Sequence, residues 1–160
     1  MYYDLLRSPV GRLLLVGNHQ GLKMLIFQDG KHPQAIDSQW KKDRKPLQDI
    51  IAQLEAYFVG GLTKFSVKIS PDGTDFQQKV WKALRRIPYG KTVSYGEIAK
   101  QIGNPNASRA VGAANGQNPI SIIVPCHRVI GASGRLVGYG GGLPIKQSLL
   151  ELEQQVRGSW

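Results

Sequence analysis

Ser94-Tyr95-Gly96-Glu97-Ile98-Ala99-Lys100-Gln101-Ile102-Gly103-Asn104-Pro105-Asn106-Ala107-Ser108-Arg109-Ala110-Val111-Gly112-Ala113-Ala114 decides how the second half of this chain is read. Ser94 with Glu97 three residues on is a capping box, so a helix starts there. That helix runs through Ile98 and Ile102 and stops at Gly103. Asn104-Pro105-Asn106 is a tight turn, and residues 107–114 predict a further helix. Two short helices joined by a brief turn make a helix-turn-helix. The second helix is unusual, because a reader of the major groove projects long polar side chains and this one offers Ala107, Ser108, Ala110, Gly112 and Ala113. Arg109 is its one long polar group. A mid-helix glycine costs about 1 kcal/mol against alanine, so Gly112 predicts close approach by another surface. That surface is either the protein's own core or a nucleic-acid groove with Arg109 inserted into the base stack.

Downstream, residues 115–119 read as loop, and Ile120-Ser121-Ile122-Ile123-Val124 as a buried extended segment. It leads into Pro125-Cys126-His127-Arg128-Val129, which holds the single cysteine of 160 residues. A thiol attacks as thiolate, and a neighbouring imidazole in a water network lowers its pKa. A buried cysteine is also a serviceable small hydrophobe, and adjacency alone leaves the two readings level. Residues 131–142 contain six glycines, which let backbone N–H groups approach a ligand or leave the loop flexible. Pro144 starts a last helix with Leu149, Leu150 and Leu152 as core, and Glu153 is expected on a different face from Lys146.

Upstream, Thr74 with Gln77 is another capping box, opening a helix whose apolar stripe is Phe76, Val80, Trp81, Leu84 and Ile87. Pro88-Tyr89-Gly90 ends it. Before Thr74 the pattern changes. Tyr2 to Arg7 and Leu13 to Val16 flank the turn tetrad Ser8-Pro9-Val10-Gly11, which predicts a hairpin. Residues 22–27 give a third strand, and Leu47, Ile50, Ile51, Leu54, Tyr57 and Phe58 fall at helical spacing up to Gly60-Gly61. Phe65 to Ile69 alternates as a strand that Pro71-Asp72-Gly73 breaks. The prediction is an α/β N-terminal lobe over residues 1–73, a small antiparallel sheet with a helix. A mostly α-helical domain with the helix-turn-helix follows over 74–160. Nothing in the N-terminal lobe predicts chemistry, and His19 and His32 read as surface loop residues.

The chain carries a net charge of +10, unevenly spread. Residues 1–73 hold ten Lys/Arg against seven Asp/Glu, a net of +3, and residues 74–160 hold eleven against four, a net of +7. The cysteine half is the basic half, which points to a polyanionic partner. The run Lys41-Lys42-Asp43-Arg44-Lys45 lies in the other half and reads as a solvated loop. One cysteine excludes a disulfide framework and a Cys-rich zinc site, and fits a reducing compartment. No apolar run approaches the roughly 20 residues of a membrane span, and the N-terminus lacks the order of a signal peptide. The expected home is the cytoplasm, or the nucleus in a eukaryote, with no membrane association.

Gly90-Lys91-Thr92-Val93-Ser94-Tyr95, Asn104 to Gly112, Asn118-Pro119 and Pro125-Cys126-His127-Arg128-Val129 together resemble the O6-alkylguanine-DNA alkyltransferases, the direct-reversal DNA repair proteins. Gly138-Tyr139-Gly140-Gly141-Gly142-Leu143 and the helix of Lys146 extend the resemblance, which is dense over residues 74–153 and looser before them. It implies a ribonuclease H-like N-terminal lobe and a single-turnover activity. Cys126 would accept the alkyl group from O6-alkylguanine, and from O4-alkylthymine, in duplex DNA, leaving a thioether. His127 would take the thiol proton through water, oriented by Glu153. Asn118 would support the active-site turn, and Arg128 would anchor the same turn. In the family the helix-turn-helix binds the minor groove, so Ala107, Ser108, Ala110 and Gly112 would allow close approach. Arg109 would fill the space of the flipped nucleotide. Tyr95 would press on the backbone and bond the base N3, with the carbonyls of Cys126 and Val129 accepting the exocyclic amine. Tyr139 and Gly140 would line the pocket.

Gly140 stands where mammalian members carry serine, and Ser121 replaces a proline at the pocket rim, which bears on bulky adducts such as benzyl. The metal site of some members needs cysteines absent here, so neither metal nor cofactor is expected, and the protein is expected to be a monomer. Two other functions compete. A non-reactive lesion-recognition protein of the alkyltransferase-like kind would lack the acceptor cysteine, which Cys126 argues against. A Cys-His hydrolase would need an oxyanion hole and has no use for a helix-turn-helix.

Overall fold

The hairpin, the third strand and the first helix form where their patterns predict, and they set up an edge on which the reactive turn is later hung. The computed structural model describes residues 1–134, 139 and 141–158. Strands β1 (Tyr2–Ser8), β2 (Gly11–Asn18) and β3 (Gly21–Phe27) are antiparallel neighbours. A two-residue strand, β4 (Lys41–Lys42), adds to β1 in parallel, so the sheet is mixed, in the order β3-β2-β1-β4. The basic run around Lys41 thus includes an edge strand, though an exposed one. Leu13, Leu15, Leu22 and Leu25 pack against Ile51, Leu54 and Tyr57 of α1 (Gln48–Phe58), which a 3-10 turn at Lys45–Leu47 precedes. His19 and His32 are exposed.

The expected strand at residues 65–69 reduces to one bridge, Ile69 beside Leu22. Leu22 N donates to Lys68 O at 3.0 Å and Ser70 N to Leu22 O at 2.8 Å. Gly21 is what lets this backbone come so close: its φ is +138°, and a Cβ there would lie 2.8 Å from the Lys68 carbonyl oxygen. The pairing goes no further because the same edge of β3 is taken, three residues on, by Ile120 opposite Leu25.

Helix α2 (Asp75–Leu84) begins with both reciprocal bonds of its capping box, Gln77 N to Thr74 Oγ1 at 3.1 Å and Thr74 N to Gln77 Oε1 at 2.9 Å. Helix α3 (Tyr95–Gln101) has the same device, Glu97 N to Ser94 Oγ at 3.1 Å and Ser94 N to Glu97 Oε1 at 3.3 Å. Helix α4 (Ser108–Gly116) runs into the expected loop, ending where Gln117 N bonds Ala113 O and Ala114 O. Trp81 on α2 ties to α4 through Nε1–H to Ala114 O at 2.9 Å. Short parallel strands β5 (Val93–Ser94) and β6 (Val129–Ile130) join the start of α3 to the segment after the cysteine. Helix α5 (Leu143–Gly158) closes the structure. Lys146 and Glu153 are both buried, at 0% and 1% exposure, and so share its inner face. Seven residues are almost two whole helical turns, so the expectation of different faces is wrong on helix geometry.

Candidate active site

The thiol is delivered by a turn, where an extended segment was expected. Asn118 makes the turn: its Oδ1 accepts from Ile120 N at 3.0 Å, and its Nδ2 donates to Val124 O at 2.9 Å and Ile120 O at 3.3 Å. Ile122 sits at φ +69°, a left-handed conformation costing a β-branched residue on the order of 1–3 kcal/mol. Burial of Ile120, Ile122, Ile123 and Val124 opposes that cost, each such side chain being worth about 2 kcal/mol. The N-terminal lobe holds the turn from the other side, with Leu25 N donating to Pro119 O at 2.9 Å and Ser121 N to Leu25 O at 3.1 Å. After Pro125 the chain tightens into a 3-10 turn, Cys126–Arg128, and leaves along β6. Because β6 pairs with β5, Val129 lies opposite Val93, and Tyr95 opens α3 beside the cysteine.

His127 and Arg128 turn inward onto Glu153 of α5. His127 is wholly buried, and its Nε2 lies 2.6 Å from Glu153 Oε2. Arg128 grips the same carboxylate with Nε at 2.8 Å and Nη2 at 3.1 Å, and its Nη1 donates to Ile87 O at 2.8 Å. Gly90 N donates to Glu153 Oε1 at 3.3 Å, and Tyr57 OH to Oε2 at 2.6 Å. Burial pushes Glu153 up, but its bonds to His127 and Arg128 outweigh burial and hold it far below the usual carboxylate range. Burial pushes His127 down, and the cations Arg128 and Lys146 push it further, against Glu153. The pair is therefore an ionised Glu153 and a neutral His127, with Arg128 the cation that keeps the carboxylate charged. An ionised carboxylate only accepts, so the imidazole proton is on Nε2. Nδ1 is then a lone-pair acceptor, buried and without a hydrogen-bond partner among the described residues.

Burial pushes the Cys126 thiol up, although Asn118, Tyr139 and the charge of Lys146 all favour its ionised form. The lowered pKa expected from an adjacent imidazole is thus not what the free protein has: burial outweighs the groups that favour the thiolate, and a neutral His127 adds no positive charge beside it. The resting thiol is protonated and needs a base. Lys146 is buried, with Nζ donating to Val129 O at 2.6 Å, and burial lowers its pKa against the pull of Cys126. The Tyr139 ring packs on Phe27 with centroids 5.8 Å apart, and its hydroxyl faces Cys126 and Ser121 without a well-formed hydrogen bond. Burial and the proximity of Cys126 raise the Tyr95 phenol. Gly140 lies outside the described residues. A basic cleft of about 790 Å³, lined by Lys64, Lys82, Arg85, Arg86, Pro125 and Arg128 among others, opens behind the turn and does not include Cys126.

Cys126, His127, Glu153, Asn118, Tyr95, Val129 and Tyr139 are therefore gathered in one region. Three contributors were not read from the sequence. Tyr57 looked like part of a core stripe; its signal was a hydroxyl at a buried position, which needs a partner. Lys146 stood at seven residues from Glu153, a spacing that places two charges on one helix face. Asn115, assigned to loop, is the buried end of α4 and donates Nδ2–H to Cys126 O at 3.4 Å.

The other predicted residues lie together on α4 and, for Ala107, at its N-cap. Ser108, Arg109 and Ala110 are exposed, and Ala107 and Gly112 half-buried. A Cβ on Gly112 would meet nothing nearer than the Tyr95 ring at 3.8 Å, an ordinary contact. The protein's own core therefore does not require glycine there.

Comparison with known proteins agrees with this arrangement. A family model described as 6-O-methylguanine DNA methyltransferase, DNA binding domain, matches residues 75–155, and one described as the ribonuclease-like domain of the same family matches residues 1–71. A methylated-DNA–protein-cysteine methyltransferase of Methanosarcina acetivorans is 56% identical over 153 residues, 96% of this chain and 98% of that one. The crystal structure of Mycobacterium tuberculosis OGT in complex with DNA matches with a TM-score of 0.91 and 53% identity, covering 98% of this chain and 94% of that one. An O6-methylguanine DNA methyltransferase from Methanococcus jannaschii matches at 26% identity with a TM-score of 0.71, over 94% and 93% of the two chains. With both halves matched in order and relatives aligned along almost their whole length, the chain belongs to the 6-O-methylguanine DNA methyltransferase family, the O6-alkylguanine-DNA alkyltransferases.

Proposed function

We propose that this protein repairs alkylated DNA by direct reversal, moving the alkyl group of O6-alkylguanine irreversibly onto Cys126, once per molecule. The observation that carries this reading is the buried chain of groups behind the one cysteine: a neutral His127 with a free Nδ1 acceptor, held through Nε2 by an ionised Glu153. The Cys126 proton passes through one water to His127 Nδ1, and Glu153 stabilises the imidazolium that results. The thiolate sulfur attacks the alkyl carbon as the carbon–O6 bond breaks. That electron pair stays on the guanine as an anion shared by O6 and N1; Tyr95 steadies it with a hydrogen bond to N3, and N1 takes up a proton from water to restore normal guanine. The thioether on sulfur has no hydrolytic exit, so the protein is consumed. Asn118, Tyr139 and the charge of Lys146 favour the developing thiolate.

A nearly sealed thiol reaches a base only if the nucleotide leaves the stack, at a cost of about a few kcal/mol. Residues 74–160 bind DNA through α4 and its N-cap, where the small residues Ala107, Ser108, Ala110 and Gly112 let a minor groove come close. Arg109 fills the gap the base leaves. The room for a methyl group at Gly112 supports this, since internal packing does not explain the glycine. The carbonyls of Cys126 and Val129 accept the exocyclic amine. O4-alkylthymine is a second substrate. Residues 1–73 are the supporting lobe, and the protein works in the cytoplasm as a monomer. Duplex DNA with radiolabelled O6-methylguanine should leave about one label per protein on Cys126. Label on a Cys126→Ala variant would refute the assignment.

A further inference from the structure

We propose that Tyr57, supplied by the N-terminal lobe, is a positioning residue for alkyl transfer, its hydroxyl holding Glu153 and through it the His127 ring in the orientation that proton acceptance requires. The inference rests on the function proposed above. It starts from a bond that no packing argument explains. Tyr57 is fully buried in the last turn of α1, 96 residues before Glu153, and its hydroxyl lies 2.6 Å from Oε2, the oxygen that His127 Nε2 also reaches at 2.6 Å. The two donors share one oxygen, so each limits how strongly the other is held. Arg128 divides its two bonds between the carboxylate oxygens, and Gly90 N takes Oε1, which leaves Tyr57 as the donor that shares Oε2 with the imidazole from outside the Cys126–Arg128 turn.

The Tyr57 ring is itself fixed by Phe58, Phe65 and Tyr89, with centroids 5.3, 5.5 and 6.1 Å away. A rigid ring presents the hydroxyl in one place. Burial and the adjacent Glu153 raise the Tyr57 phenol well above its ordinary value, so it remains a donor throughout the working pH range. Among the described residues, the charged and titratable groups facing this cluster are Cys126, His127 and Arg128 from the turn, Tyr139 from the loop before α5, Lys146 and Glu153 from α5, Tyr57 from α1, and Tyr89 from the loop after α2. Of these, Tyr57 comes from the lobe otherwise read as scaffold.

The consequence is a defined effect on His127. A hydrogen bond from Tyr57 draws negative charge from Oε2 and so weakens the stabilisation of an imidazolium. In Tyr57→Phe the charge returns to the side of His127, its pKa rises, and the acid limb of the transfer rate moves to higher pH. The loosened carboxylate also lowers the rate at neutral pH, by about tenfold or more, as removal of an outer-shell partner commonly does. DNA affinity stays unchanged, because Tyr57 is far inside the lobe and fully buried.

The test is single-turnover alkyl transfer from O6-methylguanine duplex, followed from acid to neutral pH, with DNA affinity and melting temperature measured alongside. The wild type and Tyr57→Phe are compared with protein carrying 3-fluorotyrosine at position 57. That analogue keeps the ring and makes the hydroxyl a stronger donor, so its acid limb should move to lower pH; it also keeps the proposal testable if Tyr57→Phe does not fold. Opposite shifts of the two variants, at constant DNA affinity, are expected. Acid limbs that stay where the wild type's lies overturn the proposal, and so does a slower Tyr57→Phe whose only other change is a lower melting temperature. A wild-type protein that transfers no alkyl group overturns the functional reading as well, whereas unmoved limbs in a competent wild type overturn this inference alone.

Discussion

Glu153 accepts five hydrogen bonds, from Tyr57, Gly90, His127 and twice from Arg128, in a place with 1% exposure. A buried charge so provided for stabilises the fold only while it stays a charge, and removing a partner costs about 3 kcal/mol. Two pH effects follow. Glu153 and His127 are both held below their ordinary values, so as pH falls the unfolded chain takes up protons that the folded chain refuses. Stability is therefore full above about pH 6.5 and is lost progressively below it, first through His127 and then through Glu153. The transfer rate needs a neutral His127, so its acid midpoint should lie below about 6.5. Single-turnover rates measured across pH 4.5 to 8 check this, and a midpoint above the ordinary histidine value would contradict a buried neutral base. The residues most legible at this scale were Cys126 and His127, because they are adjacent in the chain. Tyr57 was not: its hydroxyl at a core position signalled the need for a partner, but that partner lies 96 residues further along the chain.

At the scale of elements, α4 carries the sharpest expectation. Gly112→Ala has room for its methyl group, the nearest atom being 3.8 Å away, and should stabilise the helix by about 1 kcal/mol. The same methyl would stand between α4 and a minor groove, so DNA affinity should fall as the melting temperature rises. A variant that is more stable and binds equally well would remove Gly112 from the interface. Arg109→Ala should slow repair in duplex DNA far more than reaction with free O6-methylguanine, and equal losses in the two assays would contradict its place in the base stack. Both capping boxes were plain in the sequence because a cap is a contact between residues three apart. The segments at 65–69 and 120–124 were not, for a physical reason: each makes a single bridge to β3, and which residues share one strand edge is decided by tertiary packing. The turn at Ile122 was hidden as well, since a β-branched residue is the last expected at positive φ.

For the molecule as a whole, charge and the joining of the lobes matter most. The C-terminal half carries +7 of the +10, and contacts made mainly to phosphates bind with a strong salt dependence and little sequence preference. Affinity for undamaged duplexes should fall roughly a hundredfold between 50 and 200 mM salt if about four phosphates are contacted, and hardly change with sequence. A strong sequence preference would count against minor-groove docking. The N-terminal lobe meets the active site through the β3 edge at Leu25, through Phe27 against Tyr139, and through Tyr57 on Glu153. Its hairpin, third strand and helix were readable from the sequence; these meeting points were not, since each joins residues some ninety or more positions apart. The most direct trial of the central claim is the mass of the Cys126 peptide after one encounter with excess O6-methylguanine duplex. The account predicts that this peptide, and no other, gains one methyl group in place of its thiol proton, in step with the appearance of guanine. Restored guanine with an unmodified Cys126, or repeated turnover by one protein molecule, would contradict it.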